Sequence, residues 1–138
     1  MTRREARELL FELIFESGFR PDETSENIYY TAVQDREIAE DDYVKNTYFG
    51  VFRELETIDA TIEKHSIGWK ASRLNNVSRS ILRLSVYEMM YCTDIPYSVS
   101  ISEAVELTKK FDDEKARAFV NGILNAVKET LEKDGSKK

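Results

Sequence analysis

The 138-residue chain contains one cysteine, Cys92, and one histidine, His65. A lone thiol excludes an internal disulfide and any cysteine-based zinc site. A lone imidazole leaves no histidine-rich metal centre and no Cys–His–His catalytic set. Proline (2) and glycine (5) are scarce, so few positions interrupt regular structure and the balance leans towards helix. No apolar run approaches the roughly 20 residues needed to span a bilayer. Met1 leads into Thr2-Arg3-Arg4-Glu5, without the apolar stretch of a secretory leader. What is present, 41% hydrophobic and 33% charged residues, is enough for a core and unlike a disordered acidic chain. The length suits one domain, or at most two very small ones. A soluble, reduced, cytoplasmic protein is expected.

The net charge of −6 argues against a nonspecific nucleic-acid coat, because phosphate affinity comes from neutralising cations. The average conceals an asymmetry. Residues 21–63 hold twelve acids against Arg36, Lys45 and Arg53, whereas residues 64–111 set seven bases against Glu88, Asp94, Glu103 and Glu106. One part of the surface would repel a polyanion while another could hold one. Solvated helix faces account for the same pattern.

Periodicity supplies the elements. Thr2-Arg3-Arg4-Glu5 is a capping box, followed by Ala6, Leu9, Leu10, Leu13 and Ile14 at helical spacing and by Gly18 as a stop. A shorter helix over 25–36 turns Ile28, Tyr29, Ala32 and Val33 inward. A third starts near Asp41-Asp42 and carries Val44, Tyr48, Val51, Leu55, Ile58 and Ile62, the 4-3-4-3-4 seam of antiparallel helix packing. Residues 65–76 read as a connection with a short helical turn. Asn75 or Asn76 then caps a helix over 77–91, apolar most of the way round and therefore central. After Ile95-Pro96, Ser100-Ile101-Ser102-Glu103 forms a second capping box for a helix over 101–111. A last helix, 114–132, aligns Ala116, Phe119, Val120, Ile123, Leu124, Val127 and Leu131, and the tail beyond is expected to fray. The fold class is all-α, with six or seven helices.

No phosphate-binding glycine loop and no nucleophile elbow is present. Asp41-Asp42 and Asp112-Asp113 resemble paired metal carboxylates, but each pair precedes a helix, where capping explains it better. Cys92 reads as a small core residue. His65 reads as a capping or exposed residue at a helix end. No catalytic set assembles, and an enzyme is not expected. Binding is better supported. Arg3 and Arg7 lie one turn apart with Arg4 between them, and guanidinium forks suit phosphate oxygens and stack on unpaired bases. Local ion pairs, Arg4–Glu8 and Arg3–Glu5, are the competing reading, and the residues alone do not choose.

The C-terminal half adds a composite pattern. It runs Val77-x-Arg79-x-Ile81-Leu82-Arg83-Leu84-x-x-Tyr87-Glu88, then Ile95-Pro96-x-x-Val99-x-Ile101-x-Glu103-Ala104-Val105-Glu106-Leu107-x-Lys109-x-Phe111, then Phe119-Val120-Asn121-Gly122-Ile123-Leu124. With the opening Arg3-Arg4-x-Ala6-Arg7-Glu8, it resembles the NusB family of bacterial transcription antitermination factors over nearly the whole chain. The resemblance implies two packed three-helix bundles, here an N-terminal subdomain of about residues 1–64 and a C-terminal one of about 65–132. It implies no catalysis and no cofactor. It also implies binding to the boxA element of ribosomal RNA leader transcripts together with NusE, a small-subunit ribosomal protein, within an RNA polymerase antitermination complex.

Residue by residue, the resemblance places Arg3, Arg4 and Arg7 on phosphates, and Phe111, Lys115 and Phe119 near the RNA. The two phenylalanines serve equally well as core residues. Ser78, Arg79 and Leu82 fall on the implied partner surface. Asn121 and Gly122, both poor helix formers, read as structural: a close helix contact and a bond to a neighbouring backbone. Tyr87, Glu88 and Glu103 read as scaffold. Glu5 stands where some relatives carry another base, which weakens phosphate attraction; Ser66 stands where an RNA-contacting aromatic is sought, with Trp69 nearby. Two other roles share the fold. One is the RNA-recognition domain of an RNA cytosine methyltransferase, disfavoured because the sequence holds no nucleotide-binding βαβ unit. The other is a protein–protein adaptor kept inactive as a homodimer or larger oligomer.

Overall fold

The computed structural model describes residues 1–66 and 74–135. Seven helices and no strand occur among them: α1 (Arg3–Ser17), α2 (Ser25–Asp35), α3 (Asp42–Arg53), α4 (Leu55–His65), α5 (Asn76–Tyr91), α6 (Tyr97–Phe111) and α7 (Glu114–Asp134). Polar residues set most of their ends. The Thr2–Glu5 capping box closes reciprocally at 3.1 and 2.8 Å. Asp41, Asn75 and Asp113 each accept a backbone N–H of their helix's first turn, which satisfies donors that a helix start otherwise leaves open. Gly135 ends α7 with φ +62°, a left-handed turn that glycine takes without a Cβ clash.

The structure departs from the sequence reading at two ends. The seam over 44–62 does not form one helix: Glu54 leaves the helical region at φ −103°, ψ 17°, and separates α3 from α4. No proline or glycine marks the break. Its effect is to turn Val44, Tyr48 and Val51 towards α1, while Ile58 and Ile62 follow α4 onto α5 and α7. At α6, the helix begins four residues before the expected point, directly after Pro96. Both members of the presumed second capping box serve tertiary contacts instead. Ser100 donates its hydroxyl to Glu88, and Glu103 pairs with Arg4.

Helix α5 touches α1, α3, α4, α6 and α7, and Ile81, Leu82, Leu84, Val86 and Met89 are all but solvent-free. A single core of side chains from every helix surrounds it. Each large apolar group so removed from water contributes about 1.5–3 kcal/mol before the entropy of ordering is counted. The approach of α3 is close enough that a Cβ on Gly50 would run into the Tyr87 ring. Where α1 ends, Asn76 donates to the Phe15 carbonyl at 3.1 Å and also fills the space a side chain at Gly18 would need.

At the centre lies a buried carboxylate. Glu88 of α5 accepts both prongs of the Arg7 guanidinium at 3.0 and 3.1 Å, the Tyr43 hydroxyl at 2.6 Å and the Ser100 hydroxyl at 3.0 Å. Residues of α1, α3 and α6 thus converge on α5 through one side chain. Further out, Arg83 forks onto Asp59 at 2.9 and 2.8 Å and fixes α4. His65 bridges the Thr61 carbonyl and the Thr130 hydroxyl, tying α4 to α7 rather than standing free at a helix end. Cys92 is half-buried against the core, as a small core residue would be.

Asn121 and Gly122 overturn the expectation of a tight helix contact. Both face solvent; among the described residues nothing beyond the helix's own backbone and the adjoining residues lies within 4 Å of a Cβ built on Gly122, and the Asn121 side chain accepts from Asn125, one turn along. An exposed glycine inside a helix costs about 1 kcal/mol relative to alanine, and no internal contact offsets it.

Candidate nucleic-acid interface

The first turn of α1 presents two arginines outward. Arg3 stacks its guanidinium 3.8 Å from the Tyr43 ring centroid, a cation–π contact that fixes a side chain otherwise open to solvent. Arg4 forks across to Glu103 of α6 at 3.1 and 3.3 Å, and its side chain remains 62% exposed. That hydrogen bond, and Glu103's charge, hold the Arg4 guanidinium above its ordinary pKa. An exposed ion pair of this kind contributes little to stability and can exchange its carboxylate for a phosphate. Neither local pair expected within α1 forms. Glu8 accepts from Lys110 of α6 at 2.8 Å, and Glu5 serves the capping box, where the Thr2 N–H holds its carboxyl below the usual range.

Arg7 departs from the expected role. Its side chain is 6% exposed and Glu88's is 1% exposed. Burial pulls the guanidinium pKa down, but the hydrogen bonds and charge of Glu88 outweigh it and the net shift is upward. Arg7 therefore stays charged and stays inside, with its fork occupied. The same pair surrounds Tyr43, whose phenol is pushed well above its ordinary value by burial and then by Glu88. Arg7 and Arg3 do share a helical face, but that face looks at Tyr43 and the core.

The aromatic candidates divide. Phe111, the last residue of α6, is half-buried against Phe11, ring centroids 4.7 Å apart, with the Lys110 ammonium 5.6 Å from its own ring centroid. Phe119 and Lys115 line a groove of about 470 Å³ together with Leu74, Asn75, Ser78 and Asp112. Lys115 is exposed, and no carboxylate pairs with it among the described residues. Ser78, expected on the partner surface, thus shares a groove with residues expected on the RNA surface. Its hydroxyl lies 3.4 Å from Asp112. Arg79 is half-buried, donating to Asn76 at 3.0 Å while its Nε finds no acceptor among the described residues; burial, then the neighbouring Arg83, lower its pKa. Leu82 is a correction: it is fully buried at the centre of α5 and supports a partner surface only from beneath. Trp69 lies outside the described residues.

Several features had no counterpart in the sequence reading. Phe11, Phe15 and Phe19 continue from Phe111 as a row of rings 4.7, 5.6 and 5.0 Å apart, ending at Phe19, which is 66% exposed. The i, i+4 spacing was visible, but not that the row leaves the core at its end. Lys110 gives no signal in the sequence because its partner, Glu8, lies on α1, about a hundred residues away. No group of three or more His, Cys, Asp or Glu suited to a metal, and no helix long and apolar enough to cross a membrane, occurs among the described residues.

The sequence profile of the NusB family matches residues 4–129. The chain belongs to the NusB family. The transcription antitermination protein NusB of Acetivibrio thermocellus is 44% identical over 128 residues, covering 92% of this chain and 88% of that one. That of Bacillus subtilis is 39% identical over 132 residues, 96% and 98% of the two chains. Among solved structures, T. maritima NusB superposes with a TM-score of 0.85 at 33% identity, covering 96% of this chain and 98% of that one. A complex described as antitermination factors NusB and NusE with double-stranded RNA gives 0.82 at 32% identity, covering 93% and 96%. The seven-helix all-α architecture is thus the NusB fold.

Proposed function

We propose that this NusB-family chain is a transcription antitermination factor. It binds the boxA element of ribosomal RNA leader transcripts, joins NusE on a neighbouring face, and enters the RNA polymerase complex that resists premature termination. Its action is binding, without catalysis or cofactor. The observation that carries the reading is a cationic edge where side chains of α1 meet the end of α6 and the start of α7. Arg4 and Lys110 stand outward there beside Phe111, Lys115 and Phe119 line the groove beyond, and Arg3 lies at the same end of α1 but turned towards Tyr43. Arginines that hold phosphates and half-exposed rings that accept unpaired bases suit a single strand better than a stacked duplex.

NusE is assigned to the neighbouring surface built from Arg79, Asn76 and the outward end of the phenylalanine row, with Ser78 at its border. Binding should be measured for boxA RNA, a shuffled RNA and a duplex of the same sequence, each with and without NusE, at two salt concentrations. Tightest binding to single-stranded boxA in the presence of NusE is expected. Equal affinity for all three RNAs under every condition would refute the reading.

A further inference from the structure

A second concavity, of about 420 Å³, lies between α6 and α7, away from Lys115 and Phe119. Ser98, Ser102 and Lys109 line it from α6, and Asn121, Asn125 and Lys128 from α7. Its single carboxylate, Glu106, sits 3.3 Å from Lys109 with both side chains near half-exposed. No carboxylate pairs with Lys128 among the described residues. In a chain of net charge −6, a groove furnished with two ammoniums, two amides and two hydroxyls is built to donate hydrogen bonds to a negatively charged ligand along its length. From Ser98 to Lys109 it runs about 16 Å.

This groove communicates with the first one across α7. Rotation of about 100° per residue puts Lys115 and Phe119 on one side of that helix, and Asn121, Asn125 and Lys128 on the other. Ala118 and Gly122 form the exposed ridge between them. The next residue on that ridge, Glu129, comes nearly two turns later, so the low point of the crossing is Gly122. Nothing in the protein uses the absent side chain there, and glycine is the residue that lets a ligand's backbone approach closely.

We propose that the α6–α7 groove carries the sugar–phosphate backbone of RNA flanking the core element, which leaves the Lys115–Phe119 groove by crossing α7 at Gly122. The proposal rests on the RNA-binding reading above and extends its footprint. Phosphate oxygens meet Lys109 and Lys128, while Asn121, Asn125 and the two serines hydrogen-bond sugar and phosphate, so the flank is held without sequence preference.

The test compares the core RNA with the same RNA lengthened by about eight nucleotides at each end, within the usual span of a single-strand track. The full chain is used, with NusE present throughout. Wild type should bind the longer RNA more tightly, and Lys128→Gln should weaken only that RNA, by about fivefold at 0.1 M salt, reducing its salt slope by about 0.7. Gly122→Leu should melt no lower than wild type, because the site is open and leucine favours helix. It should nevertheless bring the longer RNA down to the affinity of the core. Equal wild-type affinity for the two RNAs, or variants that leave the longer RNA unaffected, would overturn the groove and leave the core site standing. Failure of wild type to bind the core RNA would overturn the reading beneath it.

Discussion

Replacing Arg7 with alanine separates two meanings of the arginine-rich opening. If Arg7 faced phosphates, the change would weaken RNA binding and leave the fold alone. The structure gives the opposite expectation. Arg7→Ala removes both guanidinium bonds to Glu88 and takes the counter-charge away from a carboxylate whose side chain is 1% exposed, while the Tyr43 and Ser100 hydroxyls still donate to it. Breaking one side of a buried pair costs about 3–5 kcal/mol, a large share of the 5–15 kcal/mol that holds a domain together. For this length each kilocalorie moves the melting temperature by about 3–5 °C, so a fall of roughly 10–25 °C is expected. Urea unfolding should give a lower midpoint with an unchanged m-value. The salt slope of RNA binding, measured where the variant is still folded, should equal that of wild type. A loss below about 1 kcal/mol together with a shallower slope would refute the argument.

Four other outcomes follow from particular contacts. Arg3→Ala with Arg4→Ala should leave urea unfolding within about 0.5 kcal/mol of wild type and reduce the salt slope by about 1.4 if each holds one phosphate; an unchanged slope removes them from the interface. Gly50→Ala should cost about 1–3 kcal/mol by driving a methyl group into Tyr87, and much of that should disappear in a Tyr87→Leu background when both are melted in urea. Asp59→Asn weakens a paired but partly exposed Arg83 fork and should cost about 1–2 kcal/mol, less than Arg7→Ala in the same assay. The capping carboxylate Glu5 has a depressed folded pKa, so its contribution is complete above the unfolded value of 4.5 and fades as pH falls through the lower folded one; Glu5→Gln, which keeps the reciprocal cap, should remove that part of the pH dependence of α1 fraying, followed by amide exchange.

The local rules read well where a residue's job is done by its near neighbours. Thr2, Asp41, Asn75 and Asp113 cap because each faces a backbone N–H three positions on, and the apolar crowding of residues 77–91 marks the central helix from composition alone. Partners distant in sequence defeat the same rules. Ser100 and Glu103 match a capping box perfectly well, yet Glu88 and Arg4 claim them. Arg3, Arg4 and Arg7 are indistinguishable as letters, and only a carboxylate 81 positions away decides that one of them turns inward. The break at Glu54 carries no breaker residue because its cause is the need to face two sets of helices. Gly122 suggests packing against a neighbour because sequence reports the missing side chain and not what stands opposite it.

Helix α1 is also a ruler. Its fifteen residues fix about 22 Å between the arginines at its start and the phenylalanine row's outward end beyond its finish, and the Glu88 junction pins it so that this length does not flex. Any single ligand touching both ends must bridge that span, and two ligands arriving separately are held apart by it. Their relative placement is therefore a property of this rod and not of whatever they touch in one another.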